Sequence, residues 1–167
     1  MRMKHLFAAA LVLVFTVCSP VFSQQAPTGK VVLTIKGKIE EKNRANTFVL
    51  DMEAIEKLPQ QTFSTLTPWD KKPIKFTGPL LRDVLALVKP TGTKIKAIAL
   101  NDYQTTIPVA DATQFNVIMA YKMNDETIPI KTKGPLFIVY PYDQHEELQS
   151  TVYYERSAWQ LKTLIIE

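Results

Sequence analysis

Residues 63–85 read FSTLTPWDKKPIKFTGPLLRDVL, and the way this stretch divides decides the fold. Its first part closes QQTFSTL at 60–66, a strand pattern with Phe63 and Thr65 on one side. Its last part opens GPLLRDVLALVKP at 78–90, where Leu81, Val84, Leu85 and Val88 recur at helical spacing. Pro79 suits a first helical turn and Pro90 lies beyond the helix end. A strand thus leads through T-P-W at 67–69 toward a helix, and the same alternation of element types continues on both sides.

Upstream, VVLTIKGKI at 31–39 alternates as a half-buried strand, EEKNRAN is a charged turn and TFVL a short strand. DMEAIEKLP at 51–59 reads as a helix capped by Asp51, with Met52, Ile55 and Leu58 on one face and Pro59 as its stop. Downstream the chain is mostly strand. TKIKAIAL at 93–100 and DYQTTIPV at 102–109 come first, then NVIMAYKM at 116–123, whose unbroken apolar run suits a central strand. N-D-E at 124–126 signals a tight turn before TIPI. GPLFIVYP at 134–141 is a buried strand, YDQHEELQS a polar loop or helical turn, and AWQLKTLII at 158–166 the closing strand. The order predicts a single α+β domain, a mixed or largely antiparallel β-sheet with two helices.

The start of the chain is read differently. Arg2 and Lys4 precede the apolar run LFAAALVLVFTV, and Val21 and Ser23 stand where a signal peptidase reads, so residues 1–23 are expected to be a secretory signal. The run is short of the roughly 20 apolar residues of a membrane span. Lipidation of Cys18 is the competing reading, disfavoured by Val17 before it. Removing Arg2 and Lys4 takes the net charge from +4 to +2, a balance with no footprint for nucleic acid. Residues 24–167 contain no cysteine, hence no disulfide, thiolate nucleophile or sulfur ligand from Cys. A bacterial periplasm suits such a chain.

Catalytic sets of side chains are scarce. After residue 23 the sole histidine is His145, and Asp143, His145, Glu146 and Glu147 read as a solvated loop before they read as metal ligands. No H-E-x-x-H, G-x-S-x-G, P-loop or G-x-G-x-x-G motif is present. On these residues alone the chain is expected not to be an enzyme. Aromatic and polar residues at strand ends say more. T-P-W brings Thr67 and Trp69, N-D-Y brings Asn101, Asp102 and Tyr103, and R-S-A-W brings Arg156 and Trp159. Rings to stack on and amides, carboxylates or a guanidinium to read an edge suit a planar, polar heterocycle. Each also has a plain alternative. Trp159 alternates with Leu161, Thr163 and Ile165 as a core residue would, Asn101 and Asp102 suit a turn, and Arg156 suits the surface.

Taken in order, LTIKGKI, DMEAIEKLP, F-x-G-x-x-L-x-D-V-L at 76–85, NDYQTTIPVAD, GPLFIVYP and R-x-x-W-Q-L-x-x-L-I-I resemble the oxidoreductase molybdopterin-binding domain, the fold of the sulfite oxidase family. Enzymes of that family carry a cysteine after the corresponding strand, and its thiolate binds molybdenum. Here Thr65, Leu66 and Thr67 occupy that neighbourhood, and a protonated hydroxyl is a poor substitute for a soft thiolate. The resemblance is to the small cysteine-less periplasmic branch, which binds reduced pterins and pairs with a membrane-bound cyclic-di-GMP signalling enzyme, a diguanylate cyclase or phosphodiesterase. It implies a pterin cofactor, reduced pterin or molybdopterin-like, without metal. Asp102 or Asn101 would meet its edge, Trp69 with Tyr103 or Trp159 its faces, and Arg156 a carbonyl or tail. Two other readings stand beside it. One is an oxidoreductase subunit holding molybdenum through the cofactor's dithiolene alone, and the other a scaffold with a vestigial pocket.

Overall fold

Strand β1 (Val31–Gly37) runs parallel to β11 (Leu161–Ile166), so the first and last strands of the fold lie side by side. A computed structural model describes residues 26–167; the expected signal segment and Cys18 lie outside the described residues. β2 (Phe48–Asp51) flanks β1, while β5 (Lys94–Ala99) and β6 (Gln104–Pro108) continue antiparallel beyond β11. The order β2-β1-β11-β5-β6 makes a five-stranded sheet in which only the β1 and β11 pair is parallel. A second sheet has the order β3-β4-β8-β9, from β3 (Gln60–Thr65), β4 (Ile74–Pro79), β8 (Lys122–Met123) and β9 (Glu126–Thr127). β7 (Ile118–Ala120) and β10 (Phe137–Val139) form a third, fully buried pair.

The predicted α+β class holds, with one mixed sheet and short helices, but among the described residues four α-helices replace two. They are α1 (Met52–Glu56), α2 (Leu81–Ala86), α3 (Asp111–Gln114) and α4 (Thr151–Arg156). α1 starts as expected, with Asp51 Oδ1 accepting from Ala54 N–H at 2.9 Å. α2 begins three residues later than predicted because 78–79 remain in β4. A Cβ on Gly78 would lie 2.2 Å from the carbonyl oxygen of Met119, so this glycine is fixed by close approach of two backbones. Leu81 N–H then donates to Val117 O at 2.8 Å, tying the helix start to the neighbouring segment. YDQHEELQS forms two 3-10 turns, Tyr142–Gln144 and Glu146–Leu148.

The continuous strand expected at 116–123 is split. Tyr121 separates β7 from β8, and each half pairs with a different partner, β10 or β4. Asn124 and Asp125 follow with φ of +50° and +69°, the left-handed pair that a two-residue hairpin between β8 and β9 requires. The last strand also starts late. Gln160 has φ +50°, so Trp159 stands before β11 rather than in its alternation, and the buried positions are Leu161, Leu164 and Ile166. Its register against β5 shifts between Leu161 and Thr163, which accounts for the change of phase. One core joins the sheets, centred on Phe76, Leu81, Ile118, Phe137 and Leu164. Among the described residues no helix is long and apolar enough to cross a membrane.

Candidate functional site

Three turns meet at one side of the sheets: the segment after β3, the connection from β5 to β6, and the end of α4. Between them lies a cleft of about 260 Å³. Trp69, Tyr154 and Trp159 give it aromatic walls, and Asn101, Tyr103, Glu155 and Ser157 complete the lining.

The Trp69 wall is built from the turn that carries it. Thr67 Oγ1 donates to Asp70 Oδ2 at 2.6 Å and accepts from Trp69 N–H at 3.3 Å. One step upstream, Leu66 N–H donates to Asp143 Oδ2 at 2.8 Å, and Asp143 N–H donates to Thr65 Oγ1 at 3.1 Å. The end of β3 is therefore clamped to the 3-10 turn at Tyr142–Gln144. Trp69 meets Trp159 edge to face, with ring centroids 5.1 Å apart and planes at 78°. Behind both stands Lys133, whose ammonium lies 5.6 Å from the Trp69 ring and 5.9 Å from the Trp159 ring and pairs with Asp70 at 3.2 Å. A half-buried cation facing two indoles holds their orientation.

Hydrogen bonding decides what the polar lining offers. Tyr103 OH donates to the backbone carbonyl of Glu155 at 2.8 Å, so its oxygen presents lone pairs. Asn101 Oδ1 accepts from Tyr103 N–H at 3.1 Å, and among the described residues its amide NH₂ has no partner. Ser157 Oγ donates to Tyr153 O at 2.8 Å, which leaves the Tyr142 hydroxyl as donor in the Tyr142 and Ser157 contact. Burial pushes the Tyr142 phenol up, so it keeps that proton. Ser157 Oγ is thus engaged on both sides, accepting from Tyr142 and donating to Tyr153. Glu155 is exposed and, among the described residues, is the one charged residue of the lining.

Of the residues predicted from sequence, Trp69, Asn101, Tyr103 and Trp159 come together here. Thr67 is buried and shapes the turn behind Trp69. Asp102 turns away: its side chain is 82% exposed and pairs with Lys162 at 2.8 Å, an interaction that holds its carboxyl below the usual range. Arg156 also lies outside the lining. Its Nη1 donates to Asp111 Oδ2 at 2.9 Å, the oxygen that also accepts from Tyr140 OH at 2.7 Å, and its guanidinium stands over the Tyr153 ring at 5.0 Å. Sequence reading missed Tyr154, Glu155 and Ser157, because TVYYER is too short and too polar to show a helical period. Once it is a helix, Tyr154 in its last turn and Ser157 at its C-cap both line the cleft. His145 packs against Phe115 with centroids 5.3 Å apart, and among the described residues no group of three His, Cys, Asp or Glu is placed to hold a metal ion.

Residues 24–143 match the oxidoreductase molybdopterin binding domain family. This chain belongs to that family. The sulfane dehydrogenase SoxCD from Paracoccus pantotrophus has the same fold, with a TM-score of 0.60 at 17% sequence identity over 80% of this chain. That alignment covers 37% of the dehydrogenase, so the molybdopterin-binding domain seen here spans well under half of its length. No curated protein matches.

The expectation that the chain is not an enzyme is corrected by this match. It rested on missing sets of catalytic side chains and on the absent cysteine ligand, whereas in a molybdopterin-binding domain the cofactor carries the hard chemistry and the protein binds and orients it. The domain is oxidoreductase-like and its cofactor is of the pterin type. The cleft fits the flat, polar head of such a cofactor, with rings for its faces and an acceptor-rich lining for its edge. For a metal, the described chain offers no thiolate, and the hydroxyls of Thr65 and Thr67 are both already engaged.

Proposed function

We propose that the chain is a molybdopterin-binding oxidoreductase subunit that seats the pterin head in the cleft walled on one side by the Trp69 and Trp159 pair. The observation that carries the reading is the cleft itself: crossed indoles backed by Lys133, beside Asn101 and Glu155, in a chain of this family. Trp69, Tyr154 and Trp159 would bound the heterocycle, and Asn101 and Tyr103 would meet its polar atoms. When bound, such a cofactor supplies redox chemistry at a metal held by its own dithiolene, the arrangement that a chain without cysteine ligand calls for. Export to the periplasm belongs to the same reading and rests on residues 1–23. A diguanylate cyclase or phosphodiesterase as partner is proposed on the family resemblance alone.

The test is to purify the full chain from a host that makes molybdopterin. Pterin released by acid oxidation and molybdenum measured by mass spectrometry should each approach one per chain, and the loaded protein should reduce an artificial electron acceptor with a suitable substrate. Pterin without metal would shift the reading to a binding protein for free pterins. Absence of both from a proficient host would overturn it.

A further inference from the structure

Resting on the pterin reading above, we infer that Glu155 is the specificity residue of the cleft and selects a heterocycle edge with two adjacent hydrogen-bond donors, the 2-amino-4-oxo-pyrimidine edge. Among the described residues Glu155 is the one charged residue of the lining; its exposed side chain has no hydrogen-bond or ion-pair partner among them, and a carboxylate only accepts hydrogen bonds. The neighbouring polar groups are committed in ways that reinforce this. Tyr103 has spent its proton on the Glu155 carbonyl, and Ser157 has spent its own on Tyr153. Asn101 keeps its NH₂ because its Oδ1 holds Tyr103 N–H. The lining therefore offers acceptors at Glu155 and Tyr103 and one amide donor at Asn101.

A pterin matches that set. Its 2-amino group and N3–H are adjacent donors for one carboxylate, and its O4 is an acceptor for the Asn101 amide. A lumazine has a carbonyl in place of the 2-amino group and nowhere carries two adjacent donors. Against Glu155 it would set oxygen against oxygen. Asp102, the carboxylate first expected to read this edge, is drawn off by Lys162 on the far side of the turn.

The test compares 6,7-dimethylpterin with 6,7-dimethyllumazine by titration into the purified chain and its Glu155→Gln variant. The unaltered protein should prefer the pterin by roughly 10- to 100-fold, the range expected for one mismatched polar contact. In Glu155→Gln an amide can donate to the lumazine carbonyl and accept from N3–H, so the preference should fall to within about threefold. Glu155 is exposed, so its replacement by Gln should leave the fold unchanged by circular dichroism. A variant that keeps the full preference would overturn the assignment of Glu155 while leaving the pterin site standing. Failure of the unaltered protein to bind either heterocycle would remove the site and this inference together.

Discussion

Trp69 is held by a pinned turn and a cation at its back, yet 38% of its surface faces water. Such a ring is free to stack on a ligand without being needed for the core. Trp69→Ala should therefore cost about 1–3 kcal/mol of pterin binding with little change in melting temperature. Trp159 packs against the core as well, so Trp159→Ala should lower both affinity and melting temperature. A second residue-scale prediction concerns alkali. Burial raises the phenols of Tyr140 and Tyr142 above their ordinary value of 10.0, first through desolvation and, for Tyr140, next through Asp111. The folded state then keeps protons that the unfolded chain releases, so this stabilisation is full below pH ~10 and is lost as pH rises further. Tyr140→Phe should cost about 1–3 kcal/mol at neutral pH by stripping one partner from Asp111, and should flatten the alkaline limb of a melting series.

At the scale of elements, the cleft depends on where α4 sits, and α4 is anchored by Arg156. Asp111 is 3% exposed, so Arg156→Met would leave its carboxylate with Tyr140 alone; we expect about 2–4 kcal/mol of destabilisation and weaker pterin binding, read by melts and titration. Gly78→Ala should cost about 3 kcal/mol or prevent folding, because its methyl would meet the Met119 carbonyl, which cannot yield without moving β7. Neither effect was legible in the sequence. Arg156 reads as a surface charge until α3 and α4 are seen together, and Gly78 reads as a helix start until β4 is seen beside β7. What could be read was local. The β1 and β5 alternation, the Asp51 cap and the 124–126 turn all follow from neighbours in the chain. Trp69, Asn101, Tyr103 and Trp159 were found because each stands at an element's end. Glu155 was not, since its place depends on a helix of six residues that only tertiary packing makes stable.

For the whole molecule, the family match ends at residue 143, but the fold does not. α4 and the approach to β11 supply Tyr154, Glu155, Ser157 and Trp159 to the cleft, and β11 bridges β1 to β5. A chain ending at 143 should be unfolded by circular dichroism and should bind no pterin. This strand order also sets a timetable. As the ribosome extends the chain, β1 and β5 are made long before the strand that must lie between them, and no earlier segment takes its place in the sheet. Domains that close on a late, distant strand fold slowly. For a protein proposed to be exported, that delay would leave the newly made chain open for longer before it locks.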